Sequence, residues 1–174
     1  MKTGKRIFIQ TYNSPCGDLL LGSFGDRLCL CNWTKEKHPG AVDRRLQALL
    51  SASYAEAPSD ITREAARQLD EYFRRERRAF DIPLLFAGTE FQNKVWDMLL
   101  QIPYGRTVSY AGMALSLGMP KAVRAVANAN GANAISIFAP CHRVIGSDGS
   151  LTGYGGGLDA KRFLLELERG VGTC

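Results

Sequence analysis

One stretch of this 174-residue sequence carries the residue types of a nucleophilic centre: Pro140-Cys141-His142-Arg143-Val144. Cys141 stands directly before one of only two histidines in the chain. A thiolate, not a thiol, attacks carbon, and an unperturbed cysteine is only about a few per cent thiolate at neutral pH. A histidine oriented by a carboxylate is the usual device for removing the proton. With such a relay the folded-state thiol pKa is expected to be depressed. The competing reading is a core thiol, because free cysteine is among the most buried residue types. The neighbours weigh against it. The apolar run 135–139 reads as a buried strand or extended segment, Pro140 ends any ladder pairing, and the glycine-rich stretch 153–157 follows. Cys141 then sits where rigid backbone opens into a loop, a usual place for reactive groups.

The elements that must position this stretch follow from periodicity and punctuation. Residues 6–12, 18–24 and 27–33 read as a three-stranded antiparallel meander, with turns at 14–17 and at Gly25-Asp26. Val42, Leu46, Leu49 and Leu50 share helical spacing over 42–51. Asp60 can cap a second helix with Ala65, Leu69, Tyr72 and Phe73 on one face, and 80–85 reads as one more strand. The charged run 74–78 reads as a solvated helix end. A new unit begins near Gly88, dividing the chain into 1–87 and 88–174. Thr89 and Gln92 fit a capping box, ahead of a helix with Phe91, Val95, Trp96 and Leu99 inward. Ser109 can cap a short helix, Gly118 can close it in the left-handed conformation, and Pro120 can begin the next. That next helix, over 121–130, is rich in alanine and presents Lys121, Arg124, Asn128 and Asn130. The pair is a helix-turn-helix suited to a nucleic-acid groove or an ordinary helical hairpin, and the pattern alone weighs the two evenly. A last helix over 159–169 points Phe163, Leu164 and Leu167 inward and carries Glu168 near its apolar face.

Composition sets outer limits. Hydrophobic content of 45% and charged content of 22% are ordinary for a globular chain long enough to bury a core. No apolar run is long enough to span a bilayer, and the apolar stretch behind the basic start is too short for a signal peptide. A cytoplasmic protein without a membrane partner is expected. Five unevenly spaced cysteines, Cys16, Cys29, Cys31, Cys141 and Cys174, argue for reduced thiols over a disulfide framework. Cys29 and Cys31, with His38 nearby, lack the spacing of common zinc sites and read as strand residues facing a core, so no metal is expected. The formal net charge of +5 permits an acidic partner, but solvated lysines and arginines give the same sum.

Taken together, Phe91-Gln92-x-x-Val95-Trp96, Ile102-Pro103-x-Gly105, Ser109-Tyr110, 122–126, Asn133, 140–144, Gly153-Tyr154 and Lys161-x-x-Leu164-Leu165-x-x-Glu168 resemble the O6-alkylguanine-DNA alkyltransferases. The resemblance implies an α/β (α+β) fold: a ribonuclease-H-like first domain with a small antiparallel sheet and helices, then a mostly helical domain carrying a helix-turn-helix and the active cysteine. It implies an enzyme that flips O6-alkylguanine out of duplex DNA and moves the alkyl group irreversibly to its own cysteine. Cys141 resembles the alkyl acceptor, His142 the residue that activates it through a water, Glu168 the carboxylate that orients the histidine, and Asn133 a buried brace. Tyr110 resembles the hydroxyl that assists the leaving guanine, and Arg124 the residue that enters the space the base has left. Backbone around Cys141, Val144 and Gly155 resembles that which holds the base, and Tyr154 a pocket wall. Gly155 and Asn130 depart from other members at the pocket rim. Three glycines, 155–157, predict a wall without side chains, with Gly156 facing the alkyl group; a tight turn is the alternative. Lys121, Asn128 and Asn130 join the DNA-facing set. The implied partner is double-stranded DNA containing O6-alkylguanine, with O4-alkylthymine as a second lesion; no cofactor is implied, and a monomer is expected.

The chemistry suits the residues: flipping a base costs about a few kcal/mol, which an inserted arginine would offset in part, and a tyrosine can protonate the departing guanine. A non-catalytic alkylated-base binder, a helix-turn-helix regulator and a turning-over cysteine hydrolase are the other readings. The first two have no need of Cys141 beside His142.

Overall fold

The computed structural model describes residues 4–36 and 38–170. Met1, Lys2, Thr3, Lys37 and Cys174 lie outside the described residues.

Strands β1 (Lys5–Ser14), β2 (Gly17–Phe24) and β3 (Arg27–Trp33) form the expected antiparallel meander. The sheet has a fourth strand that the sequence reading lacked. Helix α1 (Ala41–Leu50) ends at Ser51, whose left-handed backbone turns the chain into β4 (Ala52–Ala55). β4 pairs parallel to β1, so the order is β3-β2-β1-β4. Ala-Ser-Tyr-Ala has no alternating apolar signal, and its strand geometry depends on the neighbour that receives it.

Helix α2 (Asp60–Phe73) packs against the sheet and is capped by Ser59, not Asp60. The Ser59 hydroxyl accepts from the Thr62 N–H while the Thr62 hydroxyl accepts from the Ser59 N–H. Asp60 instead occupies the first turn, where a negative charge meets the positive end of the helix dipole. The stretch 80–85 is no strand: Leu28 N–H donates to Pro83 O at 2.9 Å and Leu85 N–H to Leu28 O at 2.9 Å, a single bridge beside β3. Pro83 has no N–H with which to extend a ladder.

Helix α3 (Glu90–Leu99) starts at the Thr89–Gln92 capping box. The two-residue strand β5 (Val108–Ser109) leads into α4 (Tyr110–Ser116), capped by the Ser109 hydroxyl, and Gly118 is left-handed with φ 72°. Pro120 does not open the next helix. A further turn intervenes, with Ala122 N–H donating to Met119 O, and α5 runs Val123–Gly131, leaving Lys121 ahead of it. A one-turn 3-10 helix (Cys141–Arg143), β6 (Val144–Ile145) beside β5, and α6 (Leu158–Arg169) complete the chain. No described helix is long and apolar enough to cross a membrane.

Two hydrophobic clusters hold this mixed α/β fold together. The first combines Ile7, Leu21, Leu30, Leu69 and Tyr72 with Ala134, Ile135, Ile137, Phe138, Leu164 and Leu167. The second joins Val95, Trp96, Leu99, Val126 and Ala129 to Ala139, Cys141 and Val144. The first cluster therefore draws on both halves of the chain. Cys29 and Cys31 are both buried in it, side by side on β3.

Candidate active site

The 134–139 segment is anchored before it reaches Cys141. Cys31 of β3 donates to Ala134 O and accepts from Ser136 N–H, each at 2.8 Å. This is one bridge only, not the strand or extended run expected: Ile137 has φ 72°, rare for a β-branched residue, and Ala139 N–H folds back to Ile135 O at 3.0 Å. Asn133 braces that turn. Its Nδ2 donates to Ala139 O at 2.9 Å and its Oδ1 accepts from Ile135 N–H at 3.0 Å. Pro140 then delivers Cys141 at the start of the 3-10 turn, where the cysteine is only 4% exposed.

His142 is fully buried, with Nε2 2.6 Å from Oε2 of Glu168, brought by the inward face of α6. Glu168 is saturated with donors. Oε2 also accepts from the Tyr72 hydroxyl at 2.6 Å and Arg143 Nη2 at 3.1 Å; Oε1 accepts from Arg143 Nε at 2.7 Å and Gly105 N–H at 3.1 Å. Arg143 Nη1 donates to Ile102 O at 2.7 Å. Burial by itself would raise the Glu168 carboxyl pKa, but the hydrogen bonds and charges of His142 and Arg143 outweigh it and hold the group ionised, well below the usual carboxylate range. Burial lowers the His142 pKa, and the pull of Glu168 offsets this only in part. The histidine is therefore neutral at neutral pH. An ionised carboxylate only accepts, so Nε2 carries the proton and the buried Nδ1, which has no hydrogen-bond partner among the described residues, is the basic atom.

The expected depression of the Cys141 thiol is reversed. Burial pushes its pKa up, and hydrogen bonds from Asn133 and Ser136 and the charge of Lys161 recover only part of the shift. The resting group is a thiol. A thiol in this state becomes a nucleophile only as a base removes its proton.

Tyr110 opens α4 half-buried, its hydroxyl 3.4 Å from Thr152 O and 3.5 Å from Lys161 Nζ. Lys161 is buried and donates to Val144 O at 2.7 Å and Thr152 O at 2.9 Å, tying the strand after Cys141 to the glycine-rich loop. Arg124, Lys121 and Asn128 are exposed on or just before α5. Asn130 is not: it is buried, and its Nδ2 donates to Cys141 O at 3.3 Å. It lies four residues from Val126, so helical periodicity could have placed it on the inner face.

Tyr154 lies edge-on to Trp33, ring centroids 5.8 Å apart. Gly155 is exposed, and a Cβ there would come within 3.7 Å of Trp33. Gly156, expected to face the alkyl group, is set against the indole of Trp33. A Cβ on it would lie 2.6 Å from Cδ2 and Cε2 of the Trp33 indole. It is glycine because the loop presses on β3; of the three glycines 155–157, Gly157, with φ 90°, is the one that needs the left-handed region. A cavity of about 520 Å³ lies between Phe80, Tyr104, Phe138 and Pro140, but neither Cys141 nor Tyr110 lines it.

Arg143, Lys161 and Tyr72 were not assigned site roles from sequence. Arginine and lysine are rarely buried unpaired, so their place beside an apolar helix face and the Cys-His pair was the available signal.

The family profile described as "6-O-methylguanine DNA methyltransferase, ribonuclease-like domain" matches residues 7–86, and that described as "6-O-methylguanine DNA methyltransferase, DNA binding domain" matches 90–170. The methylated-DNA–protein-cysteine methyltransferase of Methanosarcina barkeri is 50% identical over 162 residues, 93% of this chain and 97% of the relative. The constitutive enzyme of that name from Bacillus subtilis is 43% identical, covering 93% of this chain and 95% of its own. Among solved structures, Mycobacterium tuberculosis OGT in complex with DNA superposes with a TM-score of 0.79 at 41% identity, over 95% of this chain and 93% of that one.

Proposed function

The chain belongs to the 6-O-methylguanine DNA methyltransferase family, enzymes of DNA repair, and on that premise we propose that it repairs O6-alkylguanine in duplex DNA by taking the alkyl group onto Cys141, once per chain. The observation that carries this reading is the buried Cys141 beside a neutral His142 whose Nε2 is fixed by an ionised Glu168.

In the proposed reaction the lesion is flipped out of the helix, since its alkyl carbon is unreachable inside the stack. Exposed Arg124 on α5 fills the vacated space, while Lys121 and Asn128 contact the duplex. Sγ of Cys141 attacks the alkyl carbon, the S–C bond forming as the C–O6 bond breaks. The thiol proton passes to His142 Nδ1 through a water, and Glu168 stabilises the imidazolium. The electron pair leaves on guanine, which takes a proton from the Tyr110 hydroxyl; the charge of Lys161 beside that hydroxyl favours the transfer. Backbone at Val144 and Gly155 and the ring of Tyr154 hold the base. A thioether is stable to every group in this site, so the chain is spent.

Residues 1–87 act as the supporting unit and 88–174 as the DNA-binding and acceptor unit. One chain suffices, because Cys141, His142, Glu168, Asn133 and Tyr110 belong to the same polypeptide. The test is titration of O6-methylguanine duplex with the protein. Restored guanine should plateau at one per chain. A duplex that is bound but never restored would mean a lesion-recognition protein, and continued turnover a hydrolase-like cycle; either outcome overturns the proposal.

A further inference from the structure

Tyr72 lies on α2, 96 residues before Glu168, and is fully buried. By helical spacing it is a core residue, and its ring is indeed wedged among Phe73, Phe80 and Tyr104 at centroid distances of 5.2, 5.5 and 6.2 Å. Its hydroxyl, however, reaches the same carboxylate oxygen that His142 uses, at the same 2.6 Å. We infer that Tyr72 is a positioning residue for the transfer reaction: from the opposite half of the chain, its hydroxyl fixes the Glu168 carboxylate and sets how strongly that carboxylate holds the His142 proton. This rests on the reaction proposed above.

The geometry leaves the hydroxyl one role. An ionised carboxylate accepts only, so the phenol must donate, and a short O–H···O⁻ bond is among the stronger hydrogen bonds. Burial, followed by the charge of Glu168, pushes the Tyr72 pKa well above its ordinary value, so the group stays a donor throughout the working range. Three donors compete for the negative charge on Oε2: Tyr72, His142 and Arg143. Charge neutralised by Tyr72 is not available to stabilise an imidazolium. The other groups facing this pair are the Gly105 N–H on Oε1, the Tyr104 ring over Arg143, and Lys161, whose charge also lowers the His142 pKa. None of them would replace the lost donor on Oε2. Removing the Tyr72 hydroxyl should therefore leave Glu168 more basic and His142 easier to protonate. Since the neutral imidazole is the base, activity should then be lost at a higher pH.

The test compares full-length wild type, Tyr72→Phe and Phe73→Leu. Phe73 packs on Tyr72 but makes no bond to Glu168, so its variant controls for loosening of the aromatic cluster. Two readouts apply: the single-turnover methyl-transfer rate against pH, and the imidazole titration of His142 by NMR, with His38 as internal reference. Tyr72→Phe should move the acid limb and the His142 titration upward together, by roughly half to one pH unit, and Phe73→Leu should move neither. Unmoved profiles in Tyr72→Phe, or an equal shift in Phe73→Leu, would overturn the inference. In wild type the Tyr72 hydroxyl proton should resonate far downfield and be protected from exchange; a freely exchanging hydroxyl overturns it even if Tyr72→Phe fails to fold. Failure of the wild type to transfer any methyl group would instead sink the proposed reaction.

Discussion

A single methyl group added at Gly156 should damage the protein through Trp33, not through the alkyl pocket. The new Cβ would lie 2.6 Å from two indole atoms and 2.9 Å from a third. Contact between carbon atoms is optimal near about 3.5–4.0 Å, so indole or loop must give by about an ångström. The indole has little freedom: Trp33 is 3% exposed on β3 and held edge-on by Tyr154. Overpacking of this kind costs about 1–3 kcal/mol. For a chain of this size each kcal/mol lowers Tm by about 2–4 °C, so Gly156→Ala should melt about 2–12 °C below wild type. Methyl and benzyl transfer should fall together, because the displaced loop carries Tyr154 and the Thr152 carbonyl that receives Lys161. Trp33→Leu should open the space, so the double variant should be destabilised by less than the two single changes combined, with a coupling of about 0.5–3 kcal/mol. The assay is thermal melting of the four proteins with transfer rates on both adducts. An unchanged Tm in Gly156→Ala with selective loss of benzyl transfer would refute the reasoning and return Gly156 to the alkyl pocket.

The transfer rate should hold steady through neutral pH and fall only as pH drops through the His142 pKa, which burial places below the ordinary imidazole value of about 6.5; a rate still climbing between pH 7 and 9 would show that free thiolate is the nucleophile. Stability has the matching signs: the unfolded chain takes up the histidine proton first, so Tm should decline as pH falls below about 6.5, and it loses the Cys141 proton first, so Tm should decline again as pH rises past about 8.5. Glu168→Gln keeps the shape but leaves Arg143, 6% exposed, without its countercharge, and should cost about 3–5 kcal/mol by chemical denaturation. Arg124→Ala removes an exposed side chain, so stability should change by less than about 0.5 kcal/mol, while transfer from duplex should fall far more than transfer from free O6-alkylguanine; equal losses on both would assign Arg124 to the pocket or the fold.

What could be read from the sequence was local. The Thr89–Gln92 capping box, the Ser109 cap, the left-handed Gly118 and the bounds of β3 are each decided by a few adjacent residues, and all are found. Ser59 and Asp60 are adjacent and both suit a cap, so choosing between them needed the reciprocal bond with Thr62. The bond between His142 and Glu168 was legible because the carboxylate falls on an apolar helix face. The donors around Glu168 were not, since Tyr72 and Gly105 reach it from 96 and 63 residues away. Gly156 was visible as a glycine, but the reason for it, the indole of Trp33, lies on a strand at the other end of the chain. The direction of the Cys141 pKa was likewise hidden. Neighbours in sequence suggested activation, whereas the burial that dominates comes from packing against the second hydrophobic cluster.

The central claim is that Cys141 is the acceptor and acts once, and intact mass spectrometry tests it most directly. After incubation with excess O6-methylguanine duplex, each chain should gain the mass of one methyl group in place of a hydrogen. Peptide mapping should find it on Cys141 and on none of Cys16, Cys29 or Cys31, and Cys141→Ala should gain nothing. A methyl group on another residue, or guanine restored in excess of chains with no mass gained, would contradict the account.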